Sequence, residues 1–541
     1  MIAAIFTRAR FAAAIAAILV ISACGQNEQQ AQTDAPAAQA QMSITRGEAG
    51  EPDTLDPGLA TTTSEHAILG EVFLGLTTED AKAQPIPGAA ERWDVSADGL
   101  VWTFHLRDHT WSDGTPVTAE DFVSGWRRVL DPKTAAAYAL ILYDFKNAQA
   151  INAGKMPVEQ LGVRAVDART VEITLEHPAP YLPQLLRHQA TFPFPRHVFA
   201  AHGADWIKPG IQIGNGPYIV TEWLPNDHIT LVKNSRFYDA ANVAIDRITF
   251  IPINDPNAAL RRYRAGEMDA LNYIPEDQID WLKANLADQL TIVPKLTIAA
   301  VVLNETRKPF DDIRVREALN LAYDRDLMTK TIIRTGQEPA YSIVPPGIAD
   351  YPMTAQLSFK NLTQPERIAR AKELMLQAGY GPQKRLALTF STIASQDARR
   401  VTAAIQQMWR EVFVDLEIAQ FDGRVLVSKR RAGDFDAAPT GWLADYNDAY
   451  NFLFLFLSDN DLNDAKYKNP MFDALLGEAQ NEPDLAKRGQ ILARAEQMLL
   501  DDHVWIPTRY EVVSNLVQPH VRGWVTNSSD INRTRWLTIE R

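Results

Sequence analysis

The sequence predicts an exported α/β or α+β protein with two or three domains. Its 541 residues exceed what a single hydrophobic core usually supports. Strand-like and helix-like patterns alternate irregularly along the chain, and no internal repeat is visible. The first residues have the features of an export signal, which predicts that the folded part lies outside the cytoplasm.

The N-terminus combines the parts of a bacterial export signal. Arg8 and Arg10 precede an apolar run over residues 11–21, which is too short and too rich in alanine for a convincing membrane span. The next residues end in Ile-Ser-Ala-Cys at Cys24, the only cysteine of the chain. This motif resembles the lipobox of bacterial lipoproteins, in which cleavage leaves the cysteine as the lipidated first residue.

These features predict the location of the protein. We expect a signal peptide over residues 1–23, lipidation of Cys24, and a flexible tether over residues 24–43, which are rich in Gln and Ala. The folded body would then lie in the periplasm, lipid-anchored to a bacterial membrane of the cell envelope. The lipid would be its only contact with that membrane. The alternative is a plain signal peptide that happens to contain a cysteine.

Charge and composition exclude some classes of function. The formal net charge of −13 is spread along the chain, whereas a nucleic-acid binder usually carries a basic stripe. One cysteine excludes an intramolecular disulfide and a thiolate metal cluster. We therefore expect no nucleic-acid partner, and nothing in the sequence argues against a monomer.

Local patterns predict individual strands and helices. Residues 171–176 alternate strictly between apolar and polar side chains, and residues 101–106 are aromatic and β-branched, so both are predicted to be strands. Thr363 and Glu366 form a capping box that starts a helix ending near Gly379. Two further helices are predicted by an apolar stripe over residues 401–412 and by a cap at Asp311 or Asp312.

The motifs of common catalytic sites are missing from the sequence. It contains no HExxH, no P-loop and no GxSxG nucleophile elbow. We therefore expect no enzyme activity, no catalytic residue, no metal site and no cofactor. The 12 Trp and 15 Tyr suit a ligand cavity, although most of them are expected to pack in the core.

Several segments, in order along the chain, resemble one family of transport proteins. It is the peptide/nickel/opine class of solute-binding proteins of ABC importers (family 5), to which the periplasmic oligopeptide-binding proteins belong. The resemblance covers roughly residues 44–541. It rests on residues 51–57 (EPDTLDP), 73–76 (FLGL), 101–123 (VWTFHLRDHTWSDGTPVTAEDFV), 262–269 (RYRAGEMD), 314–319 (RVREAL) and 441–447 (GWLADYN).

The resemblance implies a bilobed α/β periplasmic binding protein fold with an extra small domain, three domains in all. The ligand would be enclosed between two lobes that close around a hinge. Lobe I would be discontinuous. The implied boundaries are 44–73, 197–297 and 513–541 for lobe I, 74–196 for the extra domain and 298–512 for lobe II.

The resemblance also implies the function and the ligand-binding residues. Family members of this kind bind an extended peptide through its backbone and pass it to the permease subunits of an ABC importer. An aspartate at the position of Asp445 would meet the α-ammonium group of the peptide. Strand edges are implied at Gly441, Trp442 and Leu443 and at Thr61, Thr62 and Thr63, and Tyr138 and Tyr510 are implied as further ligand-binding residues.

The sequence departs from the family pattern in places that concern the other end of the peptide. Thr61 stands where the family often has an acid, and Pro439 stands where well-known peptide binders have an arginine. A family histidine that can meet the ligand's C-terminus aligns with Ala398, and its neighbours Arg399 and Arg400 are candidate substitutes. The hypothesis is a preference for peptides of a different length or with modified C-termini, such as cell-wall peptides.

Other functions stay open. Within the same fold, the solute is a nickel chelate, a heme, an opine or an oligosaccharide in other family members. An extracytoplasmic hydrolase needs a nucleophile with a base, or a metal cluster, and neither is visible. A surface adhesin or structural lipoprotein is disfavoured by the absence of repeats and stalks.

Overall fold

The structure is a computed structural model, and it describes residues 41–540. The predicted signal peptide, Cys24 and most of the predicted tether lie outside these residues. Strand β1 begins at Ser43, the last residue of the predicted tether. No helix within residues 41–540 combines the length and the apolar character that a membrane crossing requires.

The described residues form a mixed α/β structure. The first strands are β1 (Ser43–Glu48), β2 (Thr77–Glu79), β3 (Pro85–Pro87), β4 (Ala90–Val95), β5 (Val101–Leu106), β6 (Val163–Asp167), β7 (Thr170–Thr174), β8 (Tyr218–Leu224), β9 (His228–Lys233), β10 (Arg247–Pro252) and β11 (Ala270–Leu271). They are followed by β12 (Leu290–Leu303), β13 (Glu338–Pro339), β14 (Leu386–Ile393), β15 (Val414–Phe421), β16 (Ala437–Leu443), β17 (Trp505–Val517), β18 (Val521–Arg522) and β19 (Thr538–Ile539).

The helices lie mainly in the second half of the chain. They are α1 (Thr63–Val72), α2 (Ala119–Leu130), α3 (Ala148–Asn152), α4 (Leu182–Leu185), α5 (Arg196–His202), α6 (Pro256–Arg264), α7 (Ile279–Asn285) and α8 (Ile313–Ala322). The later ones are α9 (Arg325–Leu327), α10 (Gln364–Gln377), α11 (Gln396–Arg410), α12 (Gly423–Arg431), α13 (Tyr450–Leu453), α14 (Pro470–Asn481) and α15 (Leu485–Asp501).

The predicted elements with local signals are confirmed. The two predicted strands are β5 and β7, which pair with each other. The Thr363–Glu366 capping box starts α10, and Asp312 caps α8 by accepting a hydrogen bond from the Arg314 N–H. The apolar stripe predicted over residues 401–412 lies on α11 as far as Trp409, and Val412 follows the end of the helix.

One long mixed sheet connects the two halves of the molecule. Its eleven strands have the order β15-β14-β16-β12-β17-β11-β1-β10-β9-β8, and β13 pairs beside β17. The long strands β12 and β17 run antiparallel and lie between the two groups of shorter strands. Their register breaks between Pro294 and Ile298, where three β12 residues lie opposite one β17 residue. Such a bulge re-aims side chains and bends the strand.

The buried apolar side chains of residues 41–540 form three clusters, and the two largest lie on the two sides of this sheet junction. One core runs from Leu296 to Tyr510 and packs α8, α10, α11 and α15 against the sheet. The other joins the first strands to a four-stranded antiparallel sheet of order β4-β5-β7-β6. Residues 74–196 therefore share their core with residues that the sequence assigns to lobe I.

The buried face of α8 provides a test of the first core. Leu319 is fully buried on α8, and Leu319→Ala is expected to lower the free energy of unfolding by about 2–5 kcal/mol, because it leaves a cavity. Leu376→Ala on α10 is the matched control, since Leu376 is 56% exposed and its loss should cost less than about 0.5 kcal/mol. Urea unfolding measures both, and equal losses would contradict this description of the core.

Candidate ligand-binding site

Two adjoining cavities lie where β16 ends. The first has a volume of about 260 Å³ and the second about 340 Å³, and both are lined by Tyr138, Leu443 and Asp445. The first cavity is also lined by residues from the start and the end of the described chain, and the second by the β12 segment beside β16. The two cavities together form a cleft between the halves of the sheet.

Strand β16 has an open edge along the second cavity. On one side it pairs antiparallel with β12, but on the other side β14 reaches it only at Ala437. The Ala444 N–H donates to the Leu296 carbonyl at 2.9 Å, which fixes the alternation of backbone groups along the strand. The N–H and C=O groups of Gly441 and Leu443 therefore point away from β12, where a further strand can pair with them.

Gly441 is required by the close approach of β12. A Cβ atom at this position would lie 2.4 Å from the Ile298 carbonyl oxygen, which is backbone and has little room to move. A side chain at position 441 would push β16 away from β12 and change the direction of the open edge.

Asp445 directly follows this edge and is fixed by Asn451. The Asn451 side chain accepts hydrogen bonds from the Asp445 N–H and from Trp442 Nε1, both at 2.9 Å, and its amide donates to Asp445 Oδ2 at 3.4 Å. No salt bridge joins Asp445 to a cationic side chain of residues 41–540. Burial raises the pKa of Asp445 to about 7, and the Asn451 hydrogen bond lowers it only in part. The carboxylate thus lacks a cation, which a ligand can supply.

Aromatic side chains close the other side of the cleft. Tyr138 lines both cavities, and burial together with the Asp445 charge raises the pKa of its hydroxyl to about 12. The ring of Tyr446, next to Asp445, stacks on Tyr181 with centroids 4.4 Å apart. This stack connects the β16 loop to the residues that carry the four-stranded sheet.

Thr61–Thr63 lead into helix α1 and form no strand in the structure, so the pairing of a ligand with them stays a prediction. All three residues line the first cavity, but Thr62 is the N-cap of α1 and forms a capping box with Glu65. The N–H groups of Thr61 and Thr62 both donate to Glu65 Oε2, at 2.6 and 2.7 Å. A ligand strand cannot use these two donors, because the helix cap already occupies them.

Tyr510 is not brought to the cavities. It lies on β17 in the core, where its side chain is 8% exposed and its hydroxyl bonds to the Ser342 side chain and backbone. Its neighbour Glu511 instead lines the second cavity, because it faces the β12 bulge. The structure therefore places Glu511, the next residue along the strand, on the second cavity, and the role of Tyr510 in ligand binding stays a prediction without support from these cavities.

Two arginines that could meet the ligand's C-terminus are already paired. The Pro439 carbonyl, on the open edge of β16, accepts a hydrogen bond from Arg430 at 3.0 Å. Arg400 on α11 forms salt bridges to Glu276 at 2.9 Å and Asp397 at 3.2 Å. Neither Arg430 nor Arg400 can therefore replace the missing arginine at position 439 without giving up a partner, and Arg399 is exposed on α11.

Sequence reasoning missed the polar wall of the first cavity. This wall is formed by Arg46, Glu48, His66, Arg187, Asn272, Lys295, Asp530 and Arg533. They come from distant parts of the chain, so no local motif could have identified them.

The comparisons with known proteins define the class of this protein. The family described as bacterial extracellular solute-binding proteins, family 5 (middle), matches residues 84–464. The chain belongs to this family. Its fold is the bilobed α/β fold of these proteins, as the resemblance implied.

The similar proteins are named for different solutes. The chain is 36% identical over 488 residues to the periplasmic oligopeptide-binding protein OppA of Escherichia coli K12, covering 89% of this chain and 90% of the relative. It is 35% identical over 497 residues to the probable deoxycholate-binding periplasmic protein YgiS of the same organism, covering 91% and 92%. The crystal structure of Haemophilus influenzae OppA in complex with the peptide RPPGFSPFR matches with a TM-score of 0.83 and 33% identity, covering 92% and 99%.

The unpaired Asp445 makes the stability of the empty protein dependent on pH. Its pKa in the fold is above the ordinary value, so the folded state binds the proton more tightly, and stability falls as the pH rises from about 4 through 7. Asp445→Asn removes this cost and should raise the free energy of unfolding by about 2–4 kcal/mol at pH 8. The gain should shrink toward zero near pH 4.

Urea unfolding of ligand-free protein at several pH values measures this difference. Comparing the variant with the wild type isolates Asp445, because the other buried carboxyl groups titrate in both proteins. A variant that is less stable than the wild type at pH 8 would contradict the description of an unpaired carboxylate.

Proposed function

We propose that the chain captures short peptides between its lobes and delivers them to the permease subunits of an ABC importer. The observation that carries the proposal is the open edge of β16 ending at an aspartate without a cation. The edge supplies backbone donors and acceptors that pair with any peptide, whatever its sequence. Asp445 then supplies the counter-charge for a free α-ammonium group.

The geometry favours a peptide over an apolar solute such as a bile acid. A steroid carries no row of backbone groups to pair with Gly441 and Leu443, and it carries no cation for Asp445. Binding such a solute would leave a buried carboxylate and an open strand edge unsatisfied, which is costly. The relatives are named for different solutes, so the choice of a peptide over a bile acid rests on the geometry of the site.

Closure of the lobes completes the site in this proposal. Lobe I is proposed to comprise residues 44–73, 197–297 and 513–541, with the extra domain at 74–196 and lobe II at 298–512. The first cavity has walls from all three, because Thr61, Tyr138 and Asp445 come from different parts. Closure around a peptide excludes water, so the ammonium–carboxylate pair becomes stronger.

The proposed location follows from the relatives and from the N-terminus. Both relatives above are named as periplasmic proteins. The proposed lipid anchor at Cys24 rests on the sequence motif alone, and so does the tether. We propose a monomer in the periplasm, held at a bacterial membrane through that lipid and with no catalytic activity of its own.

Blocking the ligand's amine tests the role of Asp445. The tripeptide Ala-Ala-Ala should bind, and its N-acetylated form should bind about 100-fold more weakly, because it has no cation for the carboxylate. Asp445→Asn should cause a similar loss for the free tripeptide. Isothermal titration with ligand-free protein measures both, and Asp461→Asn, an exposed aspartate of the same lobe, is the matched control.

Equal affinity for the acetylated and the free peptide would reject Asp445 as the amine site. Small molecules released by denaturing freshly purified protein provide an independent check. A mixture of short peptides supports the proposal, whereas a single sugar, metal chelate or tetrapyrrole would keep the fold and replace the solute.

Amidation of the C-terminus tests the consequence of Pro439. Ala-Ala-Ala amide should bind within about threefold of the free acid, because Arg430 and Arg400 are already paired and Pro439 provides no charge. Titration of both peptides measures the ratio. A loss of tenfold or more on amidation would show that a cation of this chain does bind the carboxylate. It would also reject the preference for modified C-termini, such as those of cell-wall peptides.

A further inference from the structure

A second polar site lies in the first cavity, away from the β16 edge. Glu48 is the last residue of β1, and Asn272 follows β11, which pairs in parallel with β1. The two side chains therefore emerge together at the carboxyl ends of parallel strands, a position where ligands bind in α/β sheets. Asp530, near the end of the chain, lines the same cavity. We name Glu48, Asn272 and Asp530 the acidic subsite.

The acidic subsite contains oxygen atoms that lack hydrogen-bond donors. Glu48 is 3% exposed, and its Oε2 accepts a hydrogen bond from Asn272 at 3.0 Å, but its buried Oε1 has no hydrogen-bond partner. Arg46 Nη2 lies 3.6 Å from this oxygen, beyond hydrogen-bond distance. Asn272 Oδ1 is also buried without a partner, and Asp530 Oδ1 makes no hydrogen bond of good geometry, although the Asn515 amide lies beside Asp530. Buried polar atoms of this kind normally have partners, so a ligand group is expected there.

The cations around the acidic subsite already have partners. Arg46 donates to the Asn532 carbonyl at 2.8 Å and lies 3.4 Å from Glu71, and Lys295 pairs with Asp530 Oδ2 at 3.2 Å. Among the described residues that line the first cavity, the buried side-chain atoms without a partner are all oxygens of the acidic subsite. The missing group must therefore donate hydrogen bonds, and two carboxylates favour a donor that is positively charged.

The titration behaviour agrees with this geometry. Burial raises the pKa of Glu48 to about 7, although Arg46 and Asn272 lower it in part and Asp530 raises it further. Burial also raises the pKa of Asp530 above its ordinary range, against the effects of Lys295 and Asn515. A cation between the two carboxyl groups would stabilise their charged forms.

The acidic subsite lies across the first cavity from Asp445. Lys295 belongs to the β12 bulge, and the next residue, Leu296, accepts the hydrogen bond from Ala444. The Lys295 side chain forms a salt bridge with Asp530 of the acidic subsite. The β12 bulge therefore lies between Asp445 and the acidic subsite. The cavity of about 260 Å³ has room for a long side chain with some water, since one water takes about 30 Å³.

We propose that the acidic subsite binds the ammonium or guanidinium group of a basic side chain at the first or second position of the bound peptide. This inference rests on the proposed function, because it takes the α-ammonium group to lie at Asp445. It gives the protein a preference for peptides with a second positive charge near the N-terminus.

Titration with paired peptides tests this inference. Lys-Ala-Ala and Ala-Lys-Ala are compared with the same peptides carrying norleucine, which has no charge, in place of lysine. At least one lysine peptide should bind about tenfold or more tightly than its norleucine counterpart, as expected for charge-assisted hydrogen bonds. Glu48→Gln and Asp530→Asn should each reduce this ratio to below about threefold, with the affinity for the norleucine peptides nearly unchanged.

Glu373→Gln, an exposed glutamate on α10, is the charge-matched control and should keep the wild-type ratio. Thermal unfolding followed by circular dichroism shows whether each variant folds. If Glu48→Gln does not fold, the binding ratio of Asp530→Asn decides the test. Equal binding of the lysine and norleucine peptides by the wild type would overturn the inference and leave the proposed function intact. A ratio unchanged in the folded variants would also overturn it. Failure of every peptide to bind would overturn the proposed function and this inference together.

Discussion

The antiparallel pairing of β12 with β17 is the constraint on which the rest of the structure depends. These strands alone carry the sheet from one half of the molecule to the other among the described residues. Their register breaks between Pro294 and Ile298, and the bulged residues line both cavities. The same irregularity therefore bends the sheet between the lobes and supplies part of the wall of the cleft. A regular ladder here would make the molecule flatter and leave the cleft without that wall.

Two buried aspartates near the site differ in whether a cation of the chain pairs with them. Arg488 and Asp448 form a buried bidentate pair with distances of 2.6 and 2.9 Å, which fixes the loop behind the site. Asp445, three residues earlier, has only a neutral amide partner, and its pKa is raised to about 7. Asp448 is thus satisfied by a cation of the chain, whereas Asp445 in the cleft keeps a carboxylate that a ligand can pair with. The cost in the empty state becomes affinity in the bound state.

Sequence predicted the locally encoded parts of the structure and missed the parts made by long-range packing. The cap at Asp312 and the capping box at Thr363 depend on residues two and three positions apart, so their helices were predictable. Glu48 and Asp530 are almost five hundred positions apart and meet only because the chain returns to the first lobe. The hydrogen bonds of Thr61 and Thr62 to Glu65 were missed for a related reason, since a resemblance transfers a position in space but not the hydrogen bonds made there.

Pro439 concentrates recognition at the amine end of the ligand. Proline has no N–H to offer on the open edge of β16, and Arg430 occupies its carbonyl, so pairing along this edge is limited to Gly441 and Leu443. Arg430 and Arg400 are both engaged within the chain. Asp445, by contrast, lacks a cation, and it lies at the end of the edge where the peptide is proposed to begin. Selectivity in this chain is therefore expected to depend on the first residues of a peptide, with later residues and the C-terminus contributing little.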